Sequence, residues 1–415
     1  MAERPTRTFW SRVLVASLMV YGVLVMSGGP LHAQDNSNVE IGGAVRFNLL
    51  LTSYENDGIA VNDGQFTWDA WWIDVSAQHD AGVTLEFQYR LYPTFGTHFI
   101  HHGYVGYGFD EQNEIQIGVM QVPFGDQTYA SHSWWFSNAY YMGLEDDYDM
   151  GLKYVRDTEK WDFALAYYFS PEPAGPSPSG IEEFPSYGIG GSGRYSYDII
   201  PKAPVFLEDG TEAEVGASNQ ERNQFNGRAA YSFSLGDLGM SEIGFSGQYG
   251  QIYNSSLDEF GSHSAIGAHL DLHLNRFNVK PYVIFYDHDA LNDDGTDADL
   301  VHMGAYGSGT YPVAAQATLY NLGISYSLPV SIGPISNLTF YNDYTFTDKA
   351  KDGFEDTQQD ILGFMVTAGN IFTYCDIAMG KNHPWLTDSF GTGLGQGVEG
   401  AGWNTRFNIN IGYYF

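Results

Sequence analysis

The sequence predicts an all-β chain, folded as a transmembrane antiparallel β-barrel of about 16 strands. Three observations carry that reading. Segments of about ten residues alternate apolar and polar side chains from one end to the other, the pattern of a strand with one face in an apolar phase. Aromatic residues are abundant, with 30 Tyr, 27 Phe and 9 Trp, and many stand at strand ends, where a bilayer's headgroup level favours amphipathic rings. After the first thirty-odd residues, no stretch approaches the roughly 20 apolar residues that a spanning helix needs.

The N-terminus reads as a leader. Arg4, Arg7 and Arg12 precede the apolar run Val13 to Met26, and "SGGPLHAQ" follows. A basic start, a short apolar middle and small residues before a cut after Ala33 make 1–33 a secretory signal peptide, leaving 34–415 as the barrel. Cys375 is the single cysteine, so no internal disulfide is available. A closed sheet supplies stability instead, because every strand is paired. The formal net charge is −32, which excludes nucleic acid as a natural partner. The acids gather in turn-like stretches such as "LEDDYDM" and "DHDALNDDGTDAD".

In order, candidate strands lie at 39–51, 65–78 and 82–91, where Val83, Leu85, Phe87, Tyr89 and Leu91 oppose Thr84, Glu86, Gln88 and Arg90. Four more follow at 98–109, 113–121, 150–156 and 160–169. The segment 221–235 sets Phe225, Ala229, Tyr231 and Phe233 against Gln224, Asn226, Arg228 and Ser232. After 240–252, the segment 262–275 sets Ile266, Ala268, Leu270 and Leu272 against His263, His269, Asp271 and His273. The set closes with 277–287, 316–328, 335–347, 360–370, 371–380 and 403–415. "GDLG" (236–239), "LNRF" (274–277) and "TAGNI" (367–371) are tight turns, whereas 122–149, 170–220, 288–315 and 381–402 are long. Short inner turns and long outer loops are the barrel habit. In the last strand Phe407, Ile409, Ile411, Tyr413 and Phe415 would face lipid, and Arg406, Asn408 and Asn410 the lumen. Such a run ending on Phe is expected to act as the signal read by outer-membrane assembly machinery.

The stretch "HFIHHGYVGYGFDEQNEIQIGVMQVPFGDQ" (98–127) resembles the phosphate-selective porin O and P family, in which a strand ending in a G-x-x-x-x-P-F-G-like run enters a long loop. Gly118, Pro123, Phe124 and Gly125 carry the match. The resemblance implies a trimeric, sixteen-stranded diffusion channel of the Gram-negative outer membrane, with loop 122–149 folded inward as a constriction. The constriction residues it marks are Pro123, Phe124, Gly125, His132, Trp134, Trp135, Tyr140, Glu145, Asp146 and Asp147, with the acids setting a negative field. The family's ladder of lumen arginines is missing: strand parity gives a wall of Arg46, Arg90, Lys153, Arg228, Lys280 and Arg406 against Glu86, Asp162, Glu242, Asp271 and Asp343, nearly balanced in charge. A water-filled porin for small hydrophilic solutes or ions, without strong anion selectivity, is therefore expected. The alternatives are an anion-selective porin and a barrel enzyme acting on lipids.

Other chemistry is sparse. His269, Asp271 and His273 share one strand face, but alternate positions lie about 6–7 Å apart, so a solvated wall stripe is expected rather than a metal centre. His101 and His102, as strand neighbours, should point to opposite faces. The acidic loop 287–299 fails as a calcium hand, since Ala290 and Val301 would fall at ligand positions. "GQGVEG" (395–400) precedes a strand where a dinucleotide site needs a helix. There is no G-x-S-x-G, H-E-x-x-H or P-loop, and no catalytic, cofactor or metal residue is assigned. The expected partners are the lipid bilayer, lipopolysaccharide and two further copies of the chain.

Overall fold

The computed structural model describes residues 37–53, 64, 66–127, 129–175, 193–206, 212–306, 310–387 and 393–415; the leader expected at 1–33 lies outside them. The strands are β1 (Ser37–Thr52), β2 (Phe66–His79), β3 (Val83–Tyr92), β4 (Thr97–Asp110), β5 (Asn113–Gln121), β6 (Tyr148–Asp157) and β7 (Trp161–Pro171). Next come β8 (Arg194–Ile199), β9 (Ala203–Phe206), β10 (Glu212–Val215), β11 (Asn219–Ser234), β12 (Met240–Asn254), β13 (Glu259–Leu274) and β14 (Phe277–Asp289). The chain ends with β15 (Leu300–Tyr306), β16 (Thr310–Ala314), β17 (Gln316–Ile332), β18 (Ile335–Lys349), β19 (Thr357–Ala368), β20 (Ile371–Lys381) and β21 (Asn404–Tyr414).

Sixteen of them, β1–β7, β11–β14 and β17–β21, close into one antiparallel barrel. Each corresponds to a strand expected from alternation, with ends shifted by a few residues. The seam joins β21 to β1 in register from Ala44↔Tyr414 to Thr52↔Arg406. Phe415 and Gly43 exchange two backbone hydrogen bonds of 3.0 Å beyond it.

The two faces are opposite in chemistry. On β13 and β14 the paired Ile266 and Phe285 are exposed on the outer surface. On β21 the outward residues Phe407, Ile409, Ile411 and Tyr413 alternate with buried Arg406, Asn408 and Asn410. Apolar residues outside and polar residues inside invert the arrangement of a soluble protein, as a barrel bathed in hydrocarbon requires. Outward rings also pair at strand ends: Trp161 stacks on Phe163 at 5.2 Å and Phe277 meets Tyr326 at 4.9 Å.

Two regions depart from the sequence reading. The segments 170–220 and 288–315, expected as loops, contain further strands. β8, β15 and β16 form a three-stranded sheet, and β9 pairs with β10. β8 escapes an alternation search because Tyr195, Ser196, Tyr197, Asp198 and Ile199 are all buried, leaving no polar face. Second, His101 and His102 do not point apart. β4 carries a bulge: Gln88 pairs His102 and Tyr89 pairs Ile100, so His101 is the extra residue. An inserted residue interrupts the two-residue alternation, and the two Nδ1 atoms approach to 2.8 Å.

Candidate functional site

The site is built from the connection that follows β5. Gly118 has φ +139°, and a Cβ there would stand 2.2 Å from the Gly103 carbonyl oxygen, so only glycine lets β5 pack this closely on β4. The turn at Pro123-Phe124-Gly125 then redirects the chain. Gly125 has φ +71°, donates its N–H to Ser246 Oγ on β12 (2.9 Å) and accepts from Arg228 Nε on β11 (2.9 Å).

From there the segment touches one barrel strand after another. Asp126 pairs with Lys280 on β14 at 3.2 Å. The Ala130 carbonyl accepts from Asn321 on β17 at 2.8 Å. Asp343 on β18 receives the N–H groups of His132 and Ser133 at 2.8 and 2.7 Å, and His132 Nδ1 lies 2.9 Å from its second oxygen. Asn138 donates to Thr347 on β18, and the Phe136 carbonyl accepts from Gln359 on β19. Every barrel residue in these contacts belongs to the face opposite the apolar outer one.

The acids of this segment are bonded within the fold. Glu145 accepts from the Ala130 N–H at 2.9 Å and from the N–H and hydroxyl of Ser137, which ties the segment's two limbs together. Burial pushes its carboxyl up to about 7. Asp146 accepts from the Tyr195 hydroxyl at 2.6 Å, and burial raises its carboxyl too. With Asp147 they are 4%, 5% and 8% exposed, so none of the three stands in open water.

The aromatics meet arginines. Arg46 lies over Trp72 (5.0 Å) and Trp134 (5.9 Å), Arg90 over Trp72 (4.9 Å) and Tyr195 (4.6 Å), and Arg406 over Trp135 (4.5 Å). Guanidinium groups over ring faces are attracted by the ring quadrupole. Asp69 neutralises Arg46 at 2.9 Å. All of these groups except Trp72 line a cavity of about 120 Å³, together with Tyr140, Tyr197, Tyr306 and Trp385. The Tyr140 and Tyr306 hydroxyls bond each other, and Trp385 Nε1 donates to the Tyr197 hydroxyl at 3.0 Å.

Elsewhere on the wall the charges are matched. Arg228 bridges Asp162 and Glu242, both at 2.5 Å, and His269 Nε2 is 3.0 Å from Glu242. Lys280 also faces Asp271 at 3.7 Å, and His273 stands 3.3 Å from Asp271. His269 and His273 thus take different carboxylates and do not converge, and His269 is buried rather than solvated. Lys153 donates to the Gln121 carbonyl. Glu86 lies away from this cluster, beside Glu40 and Ser76 in a recess of about 250 Å³. The sequence reading missed Asp69, Trp72, Tyr195, Tyr197, Tyr306 and Trp385. The one available signal was the aromatic spacing of "RYSYDII", inside a segment taken for loop.

Comparison with known proteins gives the fold. No protein-family model matches the chain, and no curated protein matches it in sequence. Among solved structures it is similar to OmpT of Vibrio cholerae in a trimer form, with a TM-score of 0.55 and 13% identity over 92% of this chain and all of that one. The outer membrane channel DcaP of Acinetobacter baumannii gives 0.54 and 10% over 94% of this chain and all of that one. An anion-selective porin from Comamonas acidovorans gives 0.53 and 12% over 91% and 100%. At these identities the likeness establishes the outer-membrane barrel architecture.

Proposed function

We propose that this chain is a porin of the Gram-negative outer membrane, a barrel through which small hydrophilic solutes or ions diffuse passively. One observation carries the reading: a sealed sixteen-strand cylinder with apolar residues outside and polar residues inside, the arrangement of a barrel with an aqueous interior. The channel and porin among its structural neighbours support it, and the trimer form of a third supports a homotrimer. In this reading residues 122–147 fold inward as the constriction, held by Ser246, Asn321 and Asp343. The outward residues Phe407 to Phe415 serve as the assembly signal, and the acidic outer loops face lipopolysaccharide.

Selectivity by charge is weak in this proposal, and the finer phosphate-selective role does not follow. Anion channels line their pores with cationic side chains, whereas Arg46, Arg228 and Lys280 each stand beside a carboxylate. Purified protein in planar bilayers should conduct, with a small reversal potential in a salt gradient; strong anion selectivity would contradict the proposal and favour the phosphate-type alternative.

A second reading has its own support. Tyr195, Tyr197, Tyr306 and Trp385 cover the arginine-lined cavity, as a barrel closed by its loops would require. Conductance that is absent in the intact chain, and present once 173–217 is replaced by a short Gly–Ser linker, would favour that reading.

A further inference from the structure

Where β6 leaves the inward segment, five carboxylates gather from four parts of the chain. Asp147 and Asp149 are two apart around the start of β6 and share one side of it. Glu172 follows β7, Asp198 lies on β8 and Glu221 on β11. One oxygen each from Asp147, Asp149 and Asp198 lies within 4.8 Å of the others, and all three residues are buried. Glu172 and Glu221 are near enough to act electrostatically on each of them.

Among the described residues the cation that acts on these carboxylates is one guanidinium. Arg194 Nη1 stands 3.8 Å from Asp198, and its Nε is spent on the Glu172 carbonyl oxygen. The sequence supplies no other cation nearby, for 173–193 contains neither Lys nor Arg. A second observation concerns one of these three carboxylates. Asp149 is 2% exposed, and its Oδ2 accepts from Gln224 at 3.2 Å, yet among the described residues its Oδ1 has no hydrogen-bond donor. A buried carboxylate oxygen without a donor or a cation is costly. Burial also raises the carboxyls of Asp147 and Asp198 well above the ordinary range, with the neighbouring acids adding to it.

We propose that Asp147, Asp149 and Asp198 hold a calcium-type divalent cation, with Glu172 and Glu221 as flanking charge. Oxygens on opposite sides of a bound Ca²⁺ are about 4.6–5.2 Å apart, twice the usual Ca–O distance. The three oxygens therefore already fit around one ion. All the donors are anionic oxygens, with no imidazole or thiolate, which selects a hard cation. Irregular, carboxylate-rich coordination suits Ca²⁺ better than Mg²⁺, which demands octahedral geometry and keeps its water. The ion would join β8, which belongs to the three-stranded sheet, to β6 of the barrel wall, so that it latches the sheet in place. This goes beyond the porin reading and does not depend on it.

The test uses the full chain in detergent, stripped with a chelator and titrated with CaCl₂ by calorimetry. A parallel titration with Tb³⁺ reads luminescence excited through tyrosine, Tyr168 being buried beside Asp149. Expected are one saturable site per chain, with Kd on the order of 10⁻⁵ M or tighter, and roughly tenfold or greater weakening in Asp198→Asn. Asp294→Asn, at an exposed acid of the β14–β15 connection, should leave it unchanged. Absence of saturable binding to the native chain, or equal binding by Asp198→Asn, overturns the proposal. So does an equal loss in Asp294→Asn, which would mark diffuse surface charge. Heat-modifiable gel mobility verifies that each variant is folded, and Asp149→Asn replaces Asp198→Asn if the latter is not.

Discussion

Asp343 shows how much one side chain holds. It is 1% exposed, and its carboxylate receives two backbone N–H groups and faces the ring of His132. Hydrogen bonds to a charged acceptor contribute about 1.5–3 kcal/mol, and their removal here orphans two buried donors. Asp343→Ala should lower the unfolding free energy by about 2–4 kcal/mol in denaturant titrations, and should raise single-channel conductance by freeing residues 130–136. Asp343→Asn, which keeps one acceptor oxygen, should fall between the two. His383 gives a pH-dependent counterpart. It is fully buried between Gln359 and the Trp385 N–H, and desolvation, with Arg406 nearby, depresses its imidazole to about 3. An unfolded histidine titrates near 6.5, so below that pH the unfolded form binds the proton that the folded form refuses. Stability is therefore complete above about 6.5 and declines as pH falls toward 3. The protection of residues 382–387 against hydrogen exchange, taken relative to the intrinsic rate at each pH, should fall from pH 7 to pH 4 in the native chain, and His383→Gln should remove that dependence.

At the scale of elements, legibility followed solvent contact. β12 and β21 could be read from the sequence because one face meets an apolar phase and the other polar groups, which imposes a period of two. β8 could not, since it is buried on both faces and is only six residues long. The bulge in β4 was hidden for another reason: whether an inserted residue is accommodated in β4 depends on its partner β3, and pairing is a tertiary fact. The candidate site divides in the same way. Pro123, Phe124 and Gly125 were legible through the motif that carries the family resemblance, and the turn they make is a local matter, with Gly125 at positive φ. The destinations of the side chains were not local. Glu145, Asp146 and Asp147 read as a negative field in the sequence, yet Glu145 and Asp146 accept from Ala130, Ser137 and Tyr195, and one oxygen of Asp147 accepts the N–H of Tyr148.

For the whole molecule the decisive fact is the inverted solvent arrangement. Ile266 is 65% exposed, and an exposed isoleucine of a water-soluble protein could be changed to arginine at almost no cost. Here the same residue belongs to the hydrocarbon-facing band, where a cation near the midplane costs about 2–4 kcal/mol. Ile266→Arg should lose that much in urea titrations from lipid vesicles, and a near-zero change would contradict the barrel's orientation. The pairing of β8 with β15 has a consequence of its own. These strands arise from different hairpin connections, far apart along the polypeptide, and pairings of that kind pay loop-closure entropy before they are rewarded. The cylinder should therefore close first, and the sheet of β8, β15 and β16 should settle in a later, slower kinetic phase.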